Sequence, residues 1–159
     1  MSFKKFALVA SVFALAACGG SSESAPAAEE TAAAPAVETA PAAAAAVTGT
    51  THEIKMIGDE KGYRFEPANL TVKTGDAIKY VFVSGGPHNV AFEGAALSAD
   101  VKKQLDANFS AKMAELSSNM MLNAGESVTV SFAGIPAGQY AYNCTPHLAM
   151  GMKGVVTVQ

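Results

Sequence analysis

Cys144, His147, Met150 and Met152 fall within nine consecutive positions of a chain that has only two cysteines and three histidines. Thiolate, thioether and imidazole together favour copper over the hard cations. Two His and one Cys in a trigonal set, with a weak and distant axial Met, make the kind of copper site that carries electrons. The loop Asn143-Cys144-Thr145-Pro146-His147-Leu148-Ala149-Met150-Gly151-Met152-Lys153-Gly154 supplies the Cys, one His and a choice of Met. The second His must come from elsewhere, and Pro87-His88-Asn89-Val90 is the leading candidate. His52 stands near the start of the folded part with no motif around it and is not taken as a ligand.

Such ligands need a rigid frame, and the surrounding pattern supplies one. Ile54 and Met56 alternate with Glu53 and Lys55; Leu70 and Val72 alternate with Thr71 and Lys73; Ile78, Tyr80 and Phe82 share one face. That is the period-two signature of half-buried strands. Gly58-Asp59, Thr74-Gly75-Asp76 and Ser84-Gly85-Gly86-Pro87 are turn signals between them. Asn89 to Phe92, Val128 to Phe132, Tyr140 to Tyr142 and Val155 to Val158 read as further strands. About seven or eight short strands over residues 51–159 predict an all-β fold, a Greek-key β-sandwich. Cys144 then sits where one strand ends and His88 where another begins. One stretch differs: Val101, Leu105, Phe109, Met113 and Leu116 recur at helical spacing, which predicts a helical insertion near 98–117, capped by Ser98, with Met113 used in packing.

Cys144-Thr145-Pro146-His147-Leu148-Ala149-Met150-Gly151-Met152, with its C-x2-H-x4-M spacing, resembles the loop of the cupredoxin family, the type 1 blue copper proteins, in its plastocyanin and pseudoazurin branch. Pro87-His88-Asn89-Val90-Ala91-Phe92 looks like the segment that carries the first ligand there, and Leu122-Asn123-Ala124-Gly125-Glu126 is similar to their strand start. The resemblance covers most of residues 52–159 apart from the helical region. It implies one copper ion held by His88, Cys144, His147 and Met152, with Met150 the rival axial ligand at the shorter C-x2-H-x2-M spacing. It also implies that Asn89 ties the His88 strand to the Cys144 loop by hydrogen bonds. The implied function is single-electron transfer by Cu(II)/Cu(I) cycling. Pro146, Leu148, Ala149 and Met150, with Gly85, Gly86 and Pro87, would form an apolar collar on which redox proteins dock: a cytochrome, a reaction centre, an oxidase or a reductase.

Other classes fit less well. Copper enzymes need further centres bound by clusters of His, and three histidines do not supply them. A copper storage or delivery protein without redox turnover is the alternative, left open by Met120, Met121, Met150 and Met152. Nine Lys or Arg against ten Asp or Glu in residues 51–159 leave that part nearly neutral, with no footprint for nucleic acid. A monomer is expected.

The remaining 50 residues are not domain-like. Met1 to Ala17 has a charged start at Lys4-Lys5, an apolar core from Phe6 to Ala14 and small residues at its end, as in a secretory signal. Leu15-Ala16-Ala17-Cys18-Gly19 resembles the lipobox of bacterial lipoproteins, which implies cleavage before Cys18 and acylation of its thiol. The protein would then be lipid-anchored on the periplasmic side of a bacterial membrane, with Gly19 after the cysteine favouring the outer one. With Cys18 acylated, Cys144 has no disulfide partner in an oxidising compartment, and metal ligation accounts for it. Residues 18–50 are rich in Ala, Pro and Glu, lack aromatic side chains and bury too little to order themselves, so they read as a tether.

Overall fold

Alternating burial builds two facing sheets in a computed structural model that describes residues 43–159. The expected signal segment, Cys18 and most of the expected tether lie outside the described residues. The strands are β1 (Thr51–Asp59), β2 (Gly62–Glu66), β3 (Asn69–Val72), β4 (Ala77–Phe82), β5 (Ala91–Phe92), β6 (Lys112–Ala114), β7 (Ser117–Ser118), β8 (Ser127–Ser131), β9 (Gly138–Asn143) and β10 (Lys153–Val158). One short helix, α1 (Ala99–Ala107), stands between β5 and β6. The first sheet has the order β2-β1-β4-β8 and the second β3-β10-β9-β5-β7-β6. Most neighbours are antiparallel, but β1 runs parallel to β4 and β3 parallel to β10.

Inward residues of both sheets fill the space between them, as in any sandwich. Ile54, Met56, Ile78, Tyr80 and Phe82 come from the first sheet; Tyr140, Tyr142, Val156 and Val158 come from the second. Aromatic rings meet edge to face across this core, with Phe65 against Tyr142 at 4.7 Å and Tyr80 against Tyr142 at 5.5 Å. Such pairs add about 0.5–1.5 kcal/mol each beyond the area they bury. The core therefore holds β4 and β9 firmly, and those are the strands that lead to the candidate ligands.

Two expectations need correction. Strand β2 was not foreseen, although Tyr63 and Phe65 alternate with Arg64 and Glu66. The helical insertion is also shorter than the spacing predicts. It ends at Asn108, whose side chain leaves the helix to donate to the carbonyls of Ser131 at 2.9 Å and Ala133 at 3.0 Å. An asparagine that can satisfy distant backbone groups competes with its own helix. Beyond it the chain turns extended: Phe109 bridges to Val130, and Lys112–Ala114 pairs with Ser117–Ser118. Phe109 and Leu116 are buried from this extended chain, but Met113 is 61% exposed, contrary to its expected place in a packed helix face.

Candidate metal centre

Strand β9 delivers Cys144 to one end of the sandwich, where the chain enters a short 3-10 helix, Thr145–Met150. Pro146 starts this helix, and Gly151 closes it with a left-handed φ of 83° that side-chain-bearing residues rarely adopt. The return is tight. The Cys144 N–H donates to the Met152 carbonyl at 3.0 Å, and the Met152 N–H donates to the His147 carbonyl at 3.2 Å. Gly154 follows at a point where β10 passes so close to the Ala68 carbonyl and the Tyr142 ring that a Cβ would collide with them.

His88 arrives from the other side of the core. The Ser84 to Pro87 turn follows β4, and the His88 and Met121 backbones then exchange hydrogen bonds at 3.0 and 2.8 Å. His88 Nε2 lies 2.9 Å from the Ser84 carbonyl. A carbonyl only accepts, so Nε2 carries the proton and the Nδ1 lone pair is left facing inward. There Cys144 Sγ lies 3.5 Å from His88 Nδ1 and 3.4 Å from His147 Nδ1. All three ligating atoms fall within 4.8 Å of one another, and all three residues are buried. Met152 is fully buried and Met150 is 61% exposed, so only the former turns into the protein. His52 lies apart from this group and pairs with Asp76 at 3.0 Å.

Burial sets the electrostatics. It pushes the Cys144 thiol above its ordinary range, although the backbone N–H groups of Asn89 and His147 near the sulfur pull the other way. It pushes His88 down against the opposing Ser84 carbonyl, and it pushes His147 down with help from the charge of His88. With no cation, the three groups prefer to be neutral. A bound cation would reverse that preference at the thiol, because the thiolate is the metal-binding form. The set of one soft sulfur and two imidazole nitrogens, one of them oriented by the Ser84 carbonyl, therefore fits copper.

The surroundings fix these side chains. Asn89 Oδ1 accepts from the Thr145 N–H at 2.7 Å, and its Nδ2 donates to Thr145 Oγ1 and Ser117 Oγ, each at 3.1 Å. It links the His88 segment, the Cys144 loop and β7. Tyr63 lies flat against His147, with ring centroids 3.7 Å apart and planes 13° from parallel. Phe82 sets its edge against His88 at 5.0 Å. The sequence gives no ligand-like signal for Tyr63, Phe82 or Ser84; Tyr63 and Phe82 show only as apolar positions on alternating faces.

Residues 52–159 match the family described as copper binding proteins, plastocyanin/azurin family. The chain belongs to that family. A plastocyanin of Nostoc punctiforme is 36% identical over 118 residues, which span 72% of this chain and 78% of that protein. A chloroplastic plastocyanin of Tetradesmus obliquus is 36% identical over 115 residues, 72% of this chain and 71% of its own. The solved oxidised plastocyanin of Dryopteris crassirhizoma aligns at a TM-score of 0.52 and 28% identity, over 67% of this chain and 99% of that one. Family members bind one type 1 copper ion and carry single electrons rather than catalyse a reaction, and the His88, Cys144 and His147 cluster is where this chain can hold that ion.

Proposed function

We propose that this protein is a membrane-tethered electron carrier whose redox partners dock around His147. Copper, when bound, supplies the Cu(II)/Cu(I) couple. Cys144, His88 and His147 would hold it, and Met152, the buried thioether of the loop, would be the fourth residue to reach it. The burial of these groups in a stiff core keeps their positions alike in both oxidation states. That lowers the reorganisation an electron must wait for.

The observation that carries the reading is the surface directly over the ligands. His147 is only 5% exposed, yet Leu148, Met150 and Leu122 around the same end are 45%, 61% and 66% exposed. Pro87, Pro146 and Ala149 are exposed too. No Asp, Glu, Lys or Arg occurs in 84–92 or 143–152. An uncharged apolar rim around a barely covered imidazole is cheap to desolvate and brings a partner close to the ligand edge. Small, short-lived interfaces of this sort suit redox encounters. The partner is a redox protein, whether cytochrome, reaction centre, oxidase or reductase, and the carrier works as a monomer. Acylation of Cys18 would hold it on the periplasmic face of a bacterial membrane, the outer membrane being favoured, since anchoring by more than one acyl chain is stable.

Purified protein loaded with Cu(II) should show the intense visible absorption of a copper–thiolate bond and a reversible potential. Cys144→Ser should abolish the colour, and Met152→Leu should keep it while shifting the potential. A colourless protein that holds only Cu(I) would point instead to storage. Leu148→Asp should slow transfer to a protein partner more than a charge reversal at Lys79 does, and equal effects would refute docking at the collar. Cys18→Ser should move the protein from membrane to soluble fractions; no change would refute the lipid anchor.

A further inference from the structure

The insertion between β5 and β6 takes no part in the metal centre, yet it is built around one buried asparagine. Asn108 is 4% exposed, and every polar position of its side chain is used. Its Nδ2 holds the carbonyls of Ser131 and Ala133, while its Oδ1 accepts from Gln104 Nε2 and from the backbone N–H of Ala45, each at 2.9 Å. Gln104 Nε2 also donates to the Ala43 carbonyl at 3.1 Å. Ala43 and Ala45 belong, by composition, to the stretch that reads as tether. They are nonetheless received by side chains of α1 and its cap.

The next residues continue the attachment. The Thr48 and Gly49 N–H groups both donate to the Gly75 carbonyl, at 3.0 and 2.9 Å. The Thr50 N–H donates to Asp76 Oδ1 at 2.8 Å, and Asp76 Oδ2 accepts from the Lys73 N–H at 2.9 Å and from His52 Nε2 at 3.0 Å. All of these contacts cluster where β4 begins. The Ser84 and His88 end of the molecule lies beyond the last residue of β4, roughly 20 Å away at about 3.3 Å per residue.

We infer that Gln104 and Asn108 form a clasp for the chain's own residues 43–50, so that the polypeptide upstream of Ala43 leaves from the pole opposite the copper ligands. The clasp reads backbone groups rather than side chains, which is why an alanine-rich segment can fill it. Joined to the lipid anchor of the proposed function, on which this part rests, it turns the base of the domain toward the bilayer. The collar around His147 then faces the aqueous side, where the partner is a soluble redox protein or a projecting domain.

Two variants test the clasp without touching the core. Ala45→Pro removes one donated hydrogen, and Gln104→Ala removes the second holder. In the unaltered full chain, the amides of Ala45, Thr48, Gly49 and Thr50 should exchange slowly. Exchange at Ala45 in Gln104→Ala, and at Thr48, Gly49 and Thr50 in Ala45→Pro, should rise by about tenfold or more while the copper absorption stays the same. Free exchange of these amides in the unaltered chain would overturn the clasp, as would variants whose remaining amides stay as protected as before. Orientation is read separately, on copper-loaded chain bound through Cys18 to phosphatidylglycerol vesicles. Reduction by a bilayer-embedded ferrocene should be slow and should accelerate several-fold in Ala45→Pro, while reduction by dissolved ascorbate stays constant. Equal embedded-donor rates would overturn the orientation. Mass spectrometry of the N-terminal peptide from cells reports acylation by itself, so a missing lipid would refute the anchor and leave the exchange result standing.

Discussion

The two ends of the sandwich are built on the same device and put it to opposite uses. Each end has one buried asparagine that joins three pieces of chain: Asn89 at the ligand end and Asn108 at the base. Asn89 bridges to Thr145 and Ser117, both beside the ligands, so its bonds fix a geometry. Asn108 bridges to Ser131, Ala133 and Ala45, so its bonds fix a connection. The histidines follow the same division. At the ligand end two imidazoles lie buried and neutral against a thiol; at the base His52 rests, partly exposed, on a carboxylate. Burial without charge prepares a place for a cation, whereas a carboxylate already paired and hydrogen-bonded makes a structural joint.

If that contrast is right, the two asparagines should fail differently. Asn108→Ala strands two carbonyls and the Ala45 N–H, and should lower the stability of the metal-free protein by about 2–4 kcal/mol in urea titrations, with copper affinity little changed. Asn89→Ala should do the reverse, weakening copper binding by about 10–100-fold in chelator competition for a smaller loss of stability. Similar profiles for both would erase the distinction. Tyr63→Leu should alter the Cu(II) absorption and the potential with a modest stability loss, and Tyr63→Phe should restore both, because the stacked ring rather than the hydroxyl meets His147.

Acid should act at the base. Asp76 is held at about 2 by the Lys73 N–H first, then by His52 and the Thr50 N–H. Its folded pKa is below the unfolded value of 3.8, so its contribution is complete above about pH 4 and is lost as pH falls toward 2. Metal-free protein should therefore lose stability in that window, and Asp76→Asn should flatten the loss. The smallest effect belongs to the core between the poles. Tyr80 buries a hydroxyl that has no hydrogen-bond partner among the described residues, and burial pushes its pKa well above normal. Tyr80→Phe should raise stability by roughly 1 kcal/mol, measured by thermal unfolding.

The ligand end was largely legible in the sequence because its chemistry is local. Cys144, His147 and the two Met share one loop, and cysteine and histidine are rare in this chain. His88 could be found because Pro87-His88-Asn89-Val90 stands just after a glycine-rich turn. Tyr63 could not, since its place over His147 depends on how β2 registers against β1, with Tyr63 opposite Gly58. The base was nearly illegible. Residues 43–50 are held through their backbones, which composition does not report, and the helix ends early because of carbonyls more than twenty residues away. Periodicity recognised Leu105 correctly but carried the helix past Asn108 to an exposed Met113.

The parallel pairing of β3 with β10 brings Asn69 beside Val155, and β1 likewise closes on β4. Contacts so distant along the chain delay folding, because the intervening loops must close before the pairing stabilises anything. His88 and Cys144 are themselves 56 residues apart. An unfinished chain thus offers a metal only the Cys144 loop, and the full ligand set exists only after both sheets have closed. Tight copper capture would then act as a checkpoint on maturation, rewarding only those molecules whose β-sandwich is already complete.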